Sequence, residues 1–194
     1  RQTRDALAAE ESEYPKSHPK GPKKPKNPVL LGNFEVHKNS AGFFCIRDRL
    51  SGEVMHSVND PAKESEELYV EQIAPNKHLM KNDQSPFIVW DVGMGAAGNA
   101  MALLCSVESM LLSDKEDIRA LTLISFENDM DALRLALKNT SVFPHIRHAA
   151  PHVLLEKGEW HHPSRKHDWN QYAGDFRERM HEAAAPDAKM YDMF

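Results

Sequence analysis

The sequence predicts an α/β protein whose parallel sheet carries a nucleotide-binding turn, and three stretches lead to that reading. Phe87-Ile-Val-Trp90 is a continuous apolar run, as a strand buried on both faces requires, and it ends in Asp91. Gly93, Gly95 and Gly98 follow, and then Ala100, Leu103, Leu104, Val107, Met110 and Leu111 recur at helical spacing. A second strand-like run, Leu121 to Phe126, ends in another acid, Glu127. Strand, glycine turn, helix and strand form the unit that binds nucleotides at the carboxyl edge of a parallel sheet.

Glycines in such a turn accept positive φ and let the backbone approach a ligand where a Cβ would collide, while the new helix offers free N–H groups. The acids then separate the candidate cofactors. A dinucleotide-binding unit places its ribose-binding acid about 20 residues past the glycines. Glu127 comes later, but the charge-rich stretch Ser113 to Arg119 reads as an insertion that explains the delay, so spacing alone leaves a nicotinamide- or flavin-binding oxidoreductase open. Asp91 tilts the balance. Its D-x-G-x-G turn with a later strand-end acid resembles the S-adenosylmethionine-dependent methyltransferases, in which the strand-end acid holds the ribose hydroxyls. The structural alternative for Glu127 is a helix N-terminal acid that interacts with the macrodipole.

Further motifs narrow the resemblance. Met55-His56-Ser57, Pro61-x-x-Glu64-Ser65-x-x-Leu68-Tyr69-Val70, the glycine turn, Ser125-Phe126-Glu127-x-Asp129-x-x-Ala132-Leu133, Gly174-Asp175-Phe176 and Tyr191-Asp192-Met193-Phe194 occur in one order. From about Phe34 to Phe194 the chain resembles the MnmC-type methyltransferases, which methylate the aminomethyl group on the wobble (2-thio)uridine of certain transfer RNAs. The resemblance implies a Rossmann-like class I methyltransferase sheet preceded by a small antiparallel β meander. It implies S-adenosyl-L-methionine as cofactor and tRNA as partner. It implies cofactor contacts from Asp91, Gly93, Gly95, Gly98, Asn99 and Glu127, with Glu64 and Tyr69 near the methionine end, Asp175 at the adenine edge and Phe176 over the ring. Asp192, closing a run that resembles the fourth strand of the sheet, becomes the expected catalytic residue, and Phe194 shapes the substrate pocket.

The rest of the chain fits around this centre. Residues 1–28 read as a disordered basic arm: Lys16, Lys20, Lys23, Lys24 and Lys26 lie among prolines with no acid between Tyr14 and Asn33. Such an arm suits sequence-independent contacts to an RNA backbone, or serves as a solubilising tail; the net charge of −5 alone gives no support to nucleic-acid binding. Residues 29–80 read as a meander through Phe34, Val36, Phe43 to Ile46 and Val54-Met55, then a short helix started near Asp60-Pro61. Residues 81–194 read as the N-terminal part of the cofactor-binding domain, with a structural helix from Asp129 to Lys138.

With 41% hydrophobic and 27% charged residues, the chain is expected to fold as a cytoplasmic enzyme domain without a membrane span or signal peptide. Cys45 and Cys105 sit in apolar surroundings and read as buried free thiols. His145, His148, His152, His161, His162, His167 and His181 show no repeated spacing, so no metal is expected and loop histidines are the simpler account. The chain supplies roughly half the strands that the resembling sheet has, which predicts an open edge and association through it. Three classes therefore remain: a methyltransferase acting on tRNA or another acceptor, a nucleotide-binding oxidoreductase, and a non-catalytic Rossmann module.

Overall fold

The computed structural model describes residues 29–55, 60–80, 85–113, 118–164, 166–183 and 192–193. The basic arm, His56, Ser57, the run Ala188 to Tyr191 and Phe194 lie outside them. The architecture is α/β, with a small antiparallel sheet and a larger, mostly parallel one.

The small sheet is the expected meander: β1 (Leu30–Leu31), β2 (Phe34–Lys38) and β3 (Phe44–Asp48) pair in that order. Its register sets Glu35 opposite Arg47, and Arg47 Nε donates to Glu35 Oε1 at 2.6 Å. Phe34 and Ile46 project from it onto Ala132, Leu135 and Ala136, so this sheet packs on a helix of the larger unit.

Asp60 starts the next helical run by accepting the Ala62 N–H at 3.0 Å, with Pro61 at the first helical position where its missing N–H costs nothing. The run comprises α1 (Pro61–Ser65), a π turn (Glu66–Val70) and α2 (Glu71–Ile73), and it ends at Ala74 in the left-handed region before α3 (Pro75–Leu79).

The large sheet contains β4 (Phe87–Val92), β5 (Leu121–Glu127), β6 (Glu159–His161), β7 (His167–Ala173) and β8 (Asp192–Met193), in spatial order β6-β7-β5-β4-β8. All neighbours are parallel except β6, which runs antiparallel to β7 along one edge. Strands β4, β5 and β7 step outward in one direction while β8 pairs with the other side of β4, so the order reverses at β4; ligands collect outside the carboxyl ends of strands at such a reversal.

Helix α4 (Gly98–Leu112) follows the glycine turn and buries Leu103, Leu104, Val107 and Met110 against Val89, Leu121, Leu123 and Trp169. The helical spacing in the sequence is thus the spacing of the core face. Cys105 corrects the sequence reading: it is exposed, because it lies on the helix face turned away from the sheet, while Cys45 is buried. Helix α5 (Asp131–Leu137) buries Leu133 and Leu135 completely. Elements without a sequence forecast include α3, α6 (Ala149–Lys157), with His148 Nδ1 accepting the Ala150 N–H at its start and Gly158 left-handed at its end, and the edge strand β6. Strand β7, weak in the sequence, is a seven-residue strand whose register against β5 is unbroken. Helix α7 (Phe176–Ala183) then packs its aromatic end on Trp90 and Phe126.

Candidate functional site

The glycine turn crosses from β4 to α4 above the carboxyl ends of β4 and β5. Gly93 and Gly95 have φ of +81° and +54°, and Ala97 joins them in the left-handed region at +60°. The turn is anchored from below, where the Gly93 and Met94 N–H groups both reach Phe126 O, at 2.9 and 3.3 Å. A Cβ on Gly93 would meet nothing within 4 Å, so that position faces open space. A Cβ on Gly95 would lie 2.9 Å from Met55 Sδ, so the meander sits directly over the turn. No side chain caps the N-terminus of α4, whose first-turn N–H groups therefore point outward without an intrahelical partner.

The two acids flank this turn. The β4–β5 register sets Asp91 opposite Ser125, which places Glu127 just beyond it at the same edge. Trp169 Nε1 donates to Ser125 Oγ at 2.8 Å, and Ser125 in turn donates to Asp91 Oδ2 at 2.7 Å, a relay that fixes the carboxylate. Burial pushes the Asp91 carboxyl up to about 6; the Ser125 hydrogen bond opposes this and the nearby charge of Glu127 adds to it. Glu127 accepts the Gly95 N–H through Oε2 at 2.7 Å and the Asp129 N–H through Oε1 at 3.1 Å. A carboxylate has about four acceptor positions, so each oxygen keeps a lone pair for a ligand.

Asp91, Gly93, Asn99 and Tyr69 line one cleft of about 140 Å³, together with Ile73 and Trp90. Ser65 Oγ donates to Asn99 Oδ1 at 2.9 Å, and this bond holds the α1 helical run against α4. Glu64 is half-buried on the same run and lies outside that cleft.

The chain is similar in fold to MnmC2 from Aquifex aeolicus. That solved structure has a TM-score of 0.49 and 18% sequence identity, with 78% of this chain covered and 46% of that chain, so the present chain spans under half its length. Neither a protein-family profile nor a curated protein matches the sequence.

Among the described residues, Asp175, Phe176 and the backbone of Asp192 have partners of their own. Asp175 starts α7 by accepting the Arg177 N–H at 2.8 Å, and the Arg177 guanidinium closes on both its oxygens at 3.0 and 2.7 Å. Arg177 holds the Asp175 carboxyl down at about 2. Phe176 packs edge-on against Phe126, with ring centroids 5.0 Å apart, and against Trp90 at 5.8 Å. The backbone of Asp192 pairs with Val89 in the β4–β8 ladder, the position of a fourth parallel strand beyond the order reversal.

Sequence reasoning missed a larger cavity of about 1030 Å³ on the other side of the first turns of α4. Its walls include Phe44, Met55, Ser65, Met101, Cys105 and His145, drawn from the meander, α1, α4 and the turn at 141–145. His145 Nε2 lies 3.0 Å from Ala96 O and ties that turn to the glycine loop. It also missed a gathering of histidines. Although His148, His162 and His167 are scattered in the sequence, the fold brings each to within 4 Å of the Glu108 carboxylate on α4.

Proposed function

We propose that the chain is part of an S-adenosylmethionine-dependent methyltransferase, and that its acceptor is the 5-aminomethyl group of wobble (2-thio)uridine in tRNA. One observation carries the cofactor reading: two strand-end acids, Asp91 and Glu127, flank a glycine turn that opens a helix where the strand order of the sheet reverses.

The donor set fits the cofactor. Glu127 offers its remaining lone pairs to the ribose hydroxyls while its backbone bonds to Gly95 and Asp129 keep it in place. Gly93, whose Cβ position opens onto free space, lets the ligand approach the turn. Asp91, with Tyr69 and Asn99 on the same cleft, receives the amino-acid end, where a carboxylate matches an ammonium and a phenol or amide adds hydrogen bonds. Asp175 accepts from the adenine amine and Phe176 forms an apolar wall for the ring. Arg177 is 85% exposed, so its release from Asp175 is inexpensive in water.

S-adenosylmethionine, when bound, supplies an electrophilic methyl group on a sulfonium. The chain supplies position, the main source of rate when an amine lone pair must line up with a methyl carbon. Asp192 orients the acceptor amine and receives its proton directly or through water; because a carboxylate also raises an amine's pKa, orientation is its main role. Phe194 shapes the acceptor pocket, and the Lys-rich arm contacts the RNA backbone.

Calorimetric titration with S-adenosylmethionine, its demethylated product and nicotinamide dinucleotide tests the first step. Saturable binding of the S-adenosyl compounds alone, lost in Glu127→Ala, is the expected result. Selective binding of the dinucleotide would establish an oxidoreductase instead. Methyl incorporation into tRNA bearing 5-aminomethyluridine, measured with the full-length gene product, then tests the acceptor.

A further inference from the structure

The amino end of the large sheet, opposite the glycine turn, holds a second polar cluster. We propose that Glu108, His162 and His167 bind one divalent transition-metal ion of the zinc class, with His148 positioning the carboxylate.

The three ligand atoms come from separate elements. Glu108 is on α4, His162 follows β6, and His167 opens β7 opposite Leu121, at the amino end of β5. One ligand atom from each lies within 4.8 Å of the other two. Nε2 of His167 and Nε2 of His162 are 3.8 and 3.9 Å from Glu108 Oε1, and the two imidazoles stack with centroids 4.1 Å apart. With zinc–nitrogen and zinc–oxygen bonds near 2.0–2.2 Å, tetrahedral ligand atoms stand about 3.4 Å apart, so each histidine nitrogen closes on Glu108 by about half an ångström, and the two histidine nitrogens, within 4.8 Å of each other, close by about 1.4 Å at most. Two imidazoles and one carboxylate are a zinc donor set, with a fourth position left for solvent.

A second observation points to the same place. His167 is fully buried, and neither ring nitrogen has a hydrogen-bond partner among the described residues. Buried polar atoms are nearly always paired, and a metal ion would give Nε2 its partner. Glu108 and His162 are 22% and 23% exposed, which leaves an entry path.

The surrounding bonds set which ring nitrogens carry protons. His148 Nδ1 accepts the Ala150 N–H, so its proton is on Nε2, which lies 3.1 Å from Glu108 Oε1 and donates to it. This is the second-layer contact that orients a ligating carboxylate. The Ser164 N–H donates to His162 Nδ1 at 3.1 Å, and Ser164 Oγ lies 2.7 Å from the same nitrogen while accepting the Lys166 N–H. The ring proton of His162 is therefore on Nε2, and ligation through Nε2 moves it to Nδ1, where Ser164 Oγ accepts it in place of the Ser164 N–H bond. The ion would clamp α4 to the β6–β7 hairpin, a structural role remote from the glycine turn.

The test uses the untagged full chain, stripped with a chelator and titrated with zinc against a chromophoric competitor, with thermal unfolding followed in parallel. One equivalent bound, with a rise in Tm, is expected. His162→Ala and Glu108→Gln should each weaken binding at least tenfold and remove the Tm gain. His148→Ala should weaken binding about tenfold. His181→Ala should change neither. Circular dichroism of the two partly exposed ligand variants checks that they fold. Absence of zinc binding by the folded chain, or unchanged stoichiometric binding in both ligand variants, would overturn the proposal.

Discussion

The two ends of the parallel sheet are built from the same strands and treat buried polar groups in opposite ways. At the carboxyl end each acid is met: Asp91 by the Ser125 hydroxyl, and Glu127 by two backbone N–H groups. At the amino end, His167 is buried with both ring nitrogens unmatched among the described residues. Burial pushes both groups toward their neutral forms, the Asp91 carboxyl up to about 6 and the His167 imidazole down to about 4. The difference lies in the neighbours. Backbone and hydroxyl donors meet the carboxylates at one end, whereas side-chain lone pairs converge at the other.

The largest test of this contrast is Glu127→Ala. It removes a carboxylate and leaves the Gly95 and Asp129 N–H groups unmet, and charged hydrogen bonds contribute about 1.5–3 kcal/mol each. S-adenosylmethionine affinity should fall by about 100-fold or more in calorimetry, the equivalent of roughly 3 kcal/mol. A change below threefold would break the assignment of this end.

Asp91→Asn sharpens the contrast through pH. The folded pKa of about 6 exceeds the unfolded value of 3.8, so the folded state holds the proton longer. Stability from this residue is therefore greatest below about pH 4 and is lost as pH rises through about 6, by roughly 3 kcal/mol in all. Asparagine keeps an acceptor for Ser125 and cannot ionise. Urea denaturation should show the variant more stable than the parent at pH 8, with the advantage gone at pH 4, while cofactor affinity drops.

Trp169→Phe cuts the relay below Asp91. Trp169 has no exposed surface, and the change removes its bond to Ser125 and leaves a small void, for a loss of about 1–3 kcal/mol in chemical denaturation. Gly93→Ala should have the smallest effect. Its new Cβ meets nothing, so the cost is the positive φ alone, about 1–2 kcal/mol, and Tm should fall by only a few degrees.

Much of the carboxyl end was legible in the sequence because it is written in contiguous residues. An apolar run, an acid and glycines at short spacing specify strand, turn and helix locally, and the observed β4, turn and α4 follow that order. The Asp60-Pro61 helix start was legible for the same reason. Strand β7 was faint because His167, Asp168, Asn170 and Gln171 carry polar groups, and the strand is set by its parallel partner β5. Helix α6 had a readable stop in Gly158, but its start depends on a histidine cap, an uncommon choice. The histidine cluster was illegible in one dimension, because Glu108 and His167 meet only after α4 packs beside the β6–β7 hairpin. The pairing of Asp175 with Arg177 is local, but it was hidden for another reason: a Gly-Asp turn and a helix cap read alike until the helix is seen.

Met55 over Gly95 joins the meander to the glycine turn across forty positions of chain. Its consequence concerns how such a sequence can change. Position 95, with φ at +54°, excludes most side chains but admits asparagine, whose short amide tolerates that conformation. Asparagine there would meet the Met55 thioether, the far end of a flexible side chain, so the substitution displaces Met55 rather than the backbone. The two positions are coupled, and a smaller residue at 55 would ease the change at 95.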